Sequence, residues 1–415
     1  GQQRETFFRQ VILDNPELEP FVLGPRPQGF RFSLARLQRR LRPGEAVLEL
    51  LLVESSEGMS LLGFLVTQDG LVKTHHWDVD EPMDGNNART LREWREEVAS
   101  TLHIGEDERA QKVKHDLSQK HLDRWGQLLY GPFTGDLANV HRLWVSPHSF
   151  LTQLPFNAIP FPDGVHREVA VIPSAASLLQ SKHRESRTEP RFTLGVVAAD
   201  GVAVSPLNLQ NEEVRHLRSS VRSARRRWEL AGNRAGEEPT LANLQERVGL
   251  TRCLVLSCHG DGPNEDWGTL HLGTRAMPEL VTGRRLVDSF LLGGRLRGME
   301  VDLVVTSACL TGQMDREQRY EEWLGLPLAL QAVWKTKAML LTLWEVEPLP
   351  AMIWVVELVK ALTQGISVGE AHKLAQEKVR TVTREQVEVI WLSGARDRLP
   401  PEGWEAPACH FRWLR

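Results

Sequence analysis

Cys253-Leu-Val-Leu-Ser-Cys-His-Gly260 and Asp302-Leu-Val-Val-Thr-Ser-Ala-Cys-Leu-Thr-Gly312 are the two stretches on which the fold turns. Each is a short run of Leu and Val that stops at a polar, glycine-containing end. A strand that is apolar on both sides is covered on both faces, as in the interior of a parallel sheet. A helical stretch near Leu286–Leu291 lies between the two, so a crossover joins them and they point the same way. Both therefore finish on the carboxyl edge, where open α/β sheets hold ligands and chemistry. One ends on His259-Gly260, the other on Ala308-Cys309.

The surrounding sequence repeats this alternation. The second half reads as strand Phe192–Ala198, helices Asn211–Val221 and Leu241–Val248, the two strands above, helix Glu321–Ala332, strand Ala338–Leu343, and helices Ala351–Leu362 and Val368–Val379. The first half gives a strand pair at Ala46–Val53 and Ser60–Thr67, amphipathic helices at Asn87–Leu102 and Asp107–Leu129, and strands at Arg142–Ser146 and Glu168–Ile172. Residues 1–32 carry scattered Pro and Gly and read as an irregular lead-in, with Ser33–Arg40 as a short packing helix. Ser181–Arg191 is the most polar stretch between apolar strands and the best internal boundary. The expected division is a lead-in at 1–45, one subdomain at 46–185 and a second at 186–415. The chain opens at Gly1 rather than Met, so its natural start is expected upstream.

Composition narrows the classes. At roughly 150 residues per domain, 415 residues make two or three domains or one large α/β unit. Ordinary apolar content excludes collagen-like and disordered chains. The net charge of −4 supplies no bulk attraction to nucleic acid or anionic membrane. No apolar run reaches the roughly 18 residues of a membrane span. Four cysteines, none in the first half, suit free thiols in a reducing cytosol rather than a disulfide scaffold.

The two strand ends suggest nucleophilic chemistry. Cys309 follows His259 by 50 residues, the interval between the dyad residues of caspases. A free thiol, with a pKa of about 8.5, is a few per cent thiolate at pH 7 and gains from an imidazole that takes its proton. The same imidazole then protonates a leaving amine. Gly260 leaves room for a substrate carbonyl, and its N–H with that of Cys309 would form an oxyanion hole. The plain alternative is a buried core cysteine and a satisfied histidine. Zinc is set aside, because Cys253, Cys258, His259 and the Cys409-His410 pair lack the paired spacings of structural sites. Arg222-Ser-Ala-Arg-Arg-Arg-Trp228 reads as a solvated helix end, and His75-His76 as an exposed loop.

The sequence resembles the CHAT domain family, caspase-like cysteine peptidases related to caspases and separase. The resemblance rests on Val145-Ser-Pro-His-Ser-Phe-Leu-Thr-Gln-Leu-Pro-Phe-Asn-Ala-Ile159, Leu207-Asn-Leu-Gln-Asn-Glu-Glu-Val214, Leu256-Ser-Cys-His-Gly260, Asp302-Leu-Val-Val-Thr-Ser-Ala-Cys309, Leu341-Thr-Leu-Trp344 and Gly369-Glu-Ala-His-Lys-Leu-Ala-Gln376. These run in order over roughly residues 46–380. The resemblance implies a mostly parallel α/β sheet flanked by helices, with an N-terminal degenerate caspase-like subdomain docked beside the active one. It implies His259 as the catalytic imidazole, Cys309 as the nucleophile and Gly260 at the oxyanion hole, for peptide hydrolysis through an acyl-enzyme without a cofactor. Trp344-Glu345-Val346-Glu347 is similar to a separase run whose acids select a basic residue before the cut, so Trp344, Glu345 and Glu347 are substrate-pocket candidates, the plain alternative being two solvated acids at a strand end before Pro348; Asp200, at the end of the strand Phe192–Ala198, is a separate candidate. An extended substrate would add as a strand along Leu341–Val346. Family context implies a sensor or activator upstream and a protein substrate such as a gasdermin-like pore former in bacterial defence, while cysteine usage, apolar run lengths and charge point to a cytoplasmic protein with no membrane or direct nucleic-acid contact. The rival is a catalytically silent docking module that keeps the fold.

Overall fold

The computed structural model describes residues 33–55, 58–70, 72–78, 122–180, 192–198, 209–224, 228–232, 240–248, 251–262, 266–273, 277–292, 301–312, 325–334, 336–343, 346 and 348–387. The lead-in at 1–32, the helix at Asn87–Leu102, most of that at Asp107–Leu129 and the polar boundary at Ser181–Arg191 lie outside them. The chain divides into two compact units, Gly1–His183 with Arg316–Trp323, and Arg184–Asp315 with Leu324–Arg415.

The first unit begins with α1 (Leu34–Arg40), capped by the Ser33 hydroxyl, which accepts the Arg36 amide at 3.3 Å. Its sheet runs β3 (Val72–Asp78), β2 (Gly58–Thr67), β1 (Glu45–Ser55), β4 (Arg142–Ser146), β5 (Glu168–Val171). The hairpin strands β1, β2 and β3 are antiparallel, while β1, β4 and β5 are parallel. Helix α2 (residues 122–130) buries Leu122, Trp125, Leu129 and Tyr130 in a core with Leu48, Leu50, Leu65 and Val145. Helix α3 (Ala175–Gln180) closes the described part. His75 and His76 are not in a loop. They lie within β3 opposite Gly63 and Leu62, because pairing of buried Trp77 with buried Leu61 sets a register that carries both histidines into the ladder.

The second unit contains a five-stranded sheet in the order β13 (Ala338–Leu340), β12 (Leu303–Ser307), β8 (Cys253–Ser257), β6 (Phe192–Ala198), β7 (Trp228–Gly232), with every neighbouring pair parallel. Central β8 is buried at all five positions, as its unbroken apolar sequence requires. The helices are α4 (Gln210–Arg222), α5 (Leu241–Val248), α6 (Gly283–Leu292), α7 (Leu326–Trp334), α8 (Pro348–Thr363) and α9 (Val368–Thr381). Helix α8 is apolar nearly all round and packs with Val255, Val305 and Leu217 in one cluster. Each Val, Leu, Ile or Met buried there contributes about 1.5–3 kcal/mol by leaving water. Ser367 caps α9 by accepting the Glu370 amide at 3.3 Å. Between β8 and α6 the chain forms a separate antiparallel sheet, β11 (Pro278–Thr282), β10 (Thr269–Gly273), β9 (His259–Asp261). Edge strand β7 and this small sheet are additions to the elements expected from sequence.

Candidate active site

The parallel register sets the geometry. Strands β8 and β12 pair directly, and their last partners are Ser257 and Ser307. His259 and Cys309 each stand two residues beyond that pair, so the same offset carries both to the carboxyl edge. Gly260 has no room for a side chain: a Cβ there would lie 2.5 Å from the Cys309 carbonyl oxygen, 3.2 Å from Thr311 Cγ2 and 3.5 Å from Ala308 Cβ. The clash is with the backbone of the neighbouring strand end, a closer reason for glycine than the substrate carbonyl suggested by sequence. Glycine thus lets the His-Gly and Ala-Cys segments touch.

Cys309 sits in a tight turn. Leu310, the next residue, is left-handed with φ 58°, a conformation that costs a non-glycine residue about 1–2 kcal/mol. A buried hydroxyl cluster holds the turn. The Thr306 and Thr311 hydroxyls share a hydrogen bond of 2.6 Å, and those of Thr311 and Thr342 one of 3.2 Å. The Thr342 hydroxyl donates to the Ala308 carbonyl, the Thr342 amide donates to Thr311 Oγ1 at 3.3 Å, and the Gly312 amide donates to the Thr342 carbonyl at 2.7 Å. These bonds use the Thr342 backbone, and β13 ends at Leu340. The ladder expected to run to Leu343 is therefore shorter, because the chain turns inward to clamp the Cys309 turn. At Cys309 itself, the Val346 amide donates to Sγ at 3.4 Å and the Val346 carbonyl lies 3.9 Å from the sulfur.

The other described thiols are unlike it. Cys253 and Cys258 are buried, and desolvation, aided by Asp302 and Cys309 respectively, pushes each thiol up to about 12. They stay protonated at neutral pH, whereas Cys309 is partly exposed. Behind β8, Glu213 of α4 is buried and hydrogen-bonded to Ser257, and desolvation pushes its carboxyl up to about 8. The arrangement puts a thiol, an imidazole and main-chain N–H groups at the same carboxyl edge of the sheet. Trp344, Glu345, Glu347 and Asp200, the substrate-pocket candidates, lie outside the described residues. No group of three or more His, Cys, Asp or Glu that could hold a metal ion occurs among the described residues, and no helix among them is long and apolar enough to cross a membrane.

Sequence reasoning did not find His271 and Asp261. His271 Nε2 lies 2.6 Å from Asp261 Oδ2, and His271 stands directly opposite His259 in the small sheet. Asp261 was within reach of inspection, one residue past the His-Gly pair. His271 was not, since only long-range pairing brings it there.

The family model of the CHAT domain matches residues 119–411, well over half of the chain. The chain belongs to the CHAT domain family. The CHAT match opens just ahead of α2, so β1, β2 and β3 precede it. No curated protein sequence matches this CHAT domain chain. Among solved structures it is similar to the Arg-specific cysteine proteinase gingipain R, at 13% identity and a TM-score of 0.40, covering 62% of this chain and 63% of that one. A complex of the Porphyromonas gingivalis RgpB pro- and mature domains aligns at 13% identity with a TM-score of 0.38, covering 62% and 65%. The chain thus spans less than two-thirds of the length of either neighbour.

Proposed function

We propose that this CHAT domain protein is a caspase-like cysteine endopeptidase with Cys309 as nucleophile and His259 as general base. The observation that supports the reading is the close approach of Gly260 to the Cys309 backbone, where a Cβ would lie 2.5 Å from the carbonyl oxygen. His259 takes the thiol proton, the thiolate attacks the peptide carbonyl, and the N–H groups of Gly260 and Cys309 receive the developing oxyanion. His259 then protonates the departing amine, leaving an acyl-enzyme for water to cleave. In this reading the first unit is a degenerate caspase-like subdomain and the protein is cytoplasmic. An upstream sensor switches the site on, and the substrate is a partner protein, a gasdermin-like pore former in bacterial defence. Trp344, Glu345, Glu347 and Asp200 select a basic residue before the cut.

The test is covalent. Incubated with a peptidyl electrophile carrying Arg before the warhead, the wild type is expected to gain one adduct by intact mass, mapped to Cys309 and absent from Cys309→Ala. Absence of a Cys309 adduct, with activator-containing lysate as well as without, defeats the reading. Uncharged residues in place of Arg, run alongside, test the pocket separately.

A further inference from the structure

The small sheet has two unlike faces. Side chains alternate along a strand, so Gly260, Leu270 and Val281 form one cross-strand row, with Leu272 on the same face. Leu270, Leu272 and Val281 are fully buried. The opposite face carries the row His259, His271, Leu280, with Asp261 beside it. Its rim is open, with Leu280 52% exposed and the Asp261 side chain 62%, while His271 between them is mostly covered. His259 thus shares a face with a second histidine and a carboxylate. Directly opposed residues hold their Cβ atoms about 4.5–5.5 Å apart, within reach of two imidazoles.

The hydrogen bond to Asp261 decides the chemistry of the second ring. A carboxylate only accepts, so the 2.6 Å contact puts a proton on His271 Nε2. In the neutral ring Nδ1 is then a bare lone pair. That atom is buried and has no hydrogen-bond partner among the described residues. A buried acceptor without a donor is unfavourable, which marks it as waiting for an N–H. Near the row stand Cys258, whose thiol meets the His271 main chain, and Cys309 beyond it, while Glu279 of β11, paired with Arg285 of α6, lies on the other face opposite Leu272. None of these side chains supplies a donor to Nδ1.

We propose that His271, pinned by Asp261, is a positioning residue for His259, its Nδ1 accepting the second N–H of the His259 imidazolium. The proposal rests on the peptidase reading, because that imidazolium forms when His259 takes the Cys309 proton. The proton moves from Sγ to His259 and no further, while His271 and Asp261 keep their protonation. The arrangement aims the other His259 N–H at the sulfur and, later, at the leaving amine. The negative charge of Asp261 favours the thiolate–imidazolium pair over the neutral one.

The experiment measures alkylation of Cys309 by iodoacetamide across about pH 5 to 9, mapped by mass spectrometry, with a thermal melt of every variant. His271→Ala is expected to slow alkylation about tenfold near neutrality and to move its pH midpoint up by about one unit. Glutamine offers both an amide N–H for Asp261 and an oxygen for His259, so His271→Gln is expected within about threefold of wild type. Asp261→Asn, which frees the tautomer, is expected to slow the reaction about threefold to fivefold. If His271→Ala does not fold, the Gln and Asn variants decide. Wild-type midpoints in every folded His271 and Asp261 variant, with His259→Ala still slow, overturn the positioning role and leave the dyad intact. Alkylation indifferent to His259 as well overturns the peptidase reading itself.

Discussion

The parallel strand pair β1 and β4 in the first unit and the pair β8 and β12 in the second finish in opposite ways. At the first, Glu49 and Ser146 stand opposite each other. Ser146 Oγ donates to the Glu49 carboxylate at 3.0 Å and the Ala175 amide donates at 2.8 Å. Burial pushes the carboxyl up, and these two bonds work against it. The polar groups there are spent on one another. At the second, the chain runs past Ser257 and Ser307 to a half-buried imidazole and thiol, reached through a glycine contact and a left-handed turn. The first strand end closes on its own polar groups, whereas the second carries a left-handed residue held in place by its surroundings.

Substitutions at three positions sharpen this contrast. Gly260→Ala drives a Cβ against the Cys309 carbonyl, so it is expected to cost about 1–3 kcal/mol in melting experiments and to cut Cys309 alkylation about 100-fold. Unchanged alkylation would mean that the close approach has no chemical role. Next, Thr311→Val leaves the Thr306 and Thr342 hydroxyls short of a partner and is expected to cost about 1–2 kcal/mol, most of it regained in Thr311→Ser. Equal losses in both variants would instead point to packing. The smallest effect concerns Glu213, whose carboxyl is raised from 4.5 to about 8 in the folded state. The unfolded chain then releases its proton first, so stability falls as pH rises from 4.5 to about 8 and levels off above. Glu213→Gln is expected to flatten that decline, which leaves it the more stable of the two proteins near pH 8. A parallel decline in both proteins, measured by denaturant melts over the range, would remove Glu213 as its source.

Much of the frame was legible because continuous apolar runs bound both main strands. Cys253–Ser257 and Leu241–Val248 appear with the bounds their sequence suggests, and α8 declares itself by an apolar run too long for a strand. The equal offset of His259 and Cys309 follows from parallel register, which their sequences imply together. What escaped has a common cause. Strand β9 is three residues, His259–Asp261, with a glycine at its centre, and nothing local distinguishes it from a loop. Only β10 beside it makes it a strand, and only that pairing sets His271 against His259. Residues Leu341–Leu343 continue the apolar run of β13, yet the hydroxyls of Thr311 and Thr342 pull them out of the ladder. The same applies to His75 and His76, whose place in β3 is dictated by Trp77.

The order β13, β12, β8, β6, β7 also has a consequence in time. Strand β8 is made well before β12, and Cys309 follows His259 by 50 residues. Pairings across such separations form slowly, because loop closure precedes any contact that rewards it. On a ribosome, the segment bearing His259 is complete while the cysteine has yet to emerge. The two strand ends therefore meet only when β12 docks beside β8 and the following turn is clamped. A nascent chain carries them apart until β12 has been made.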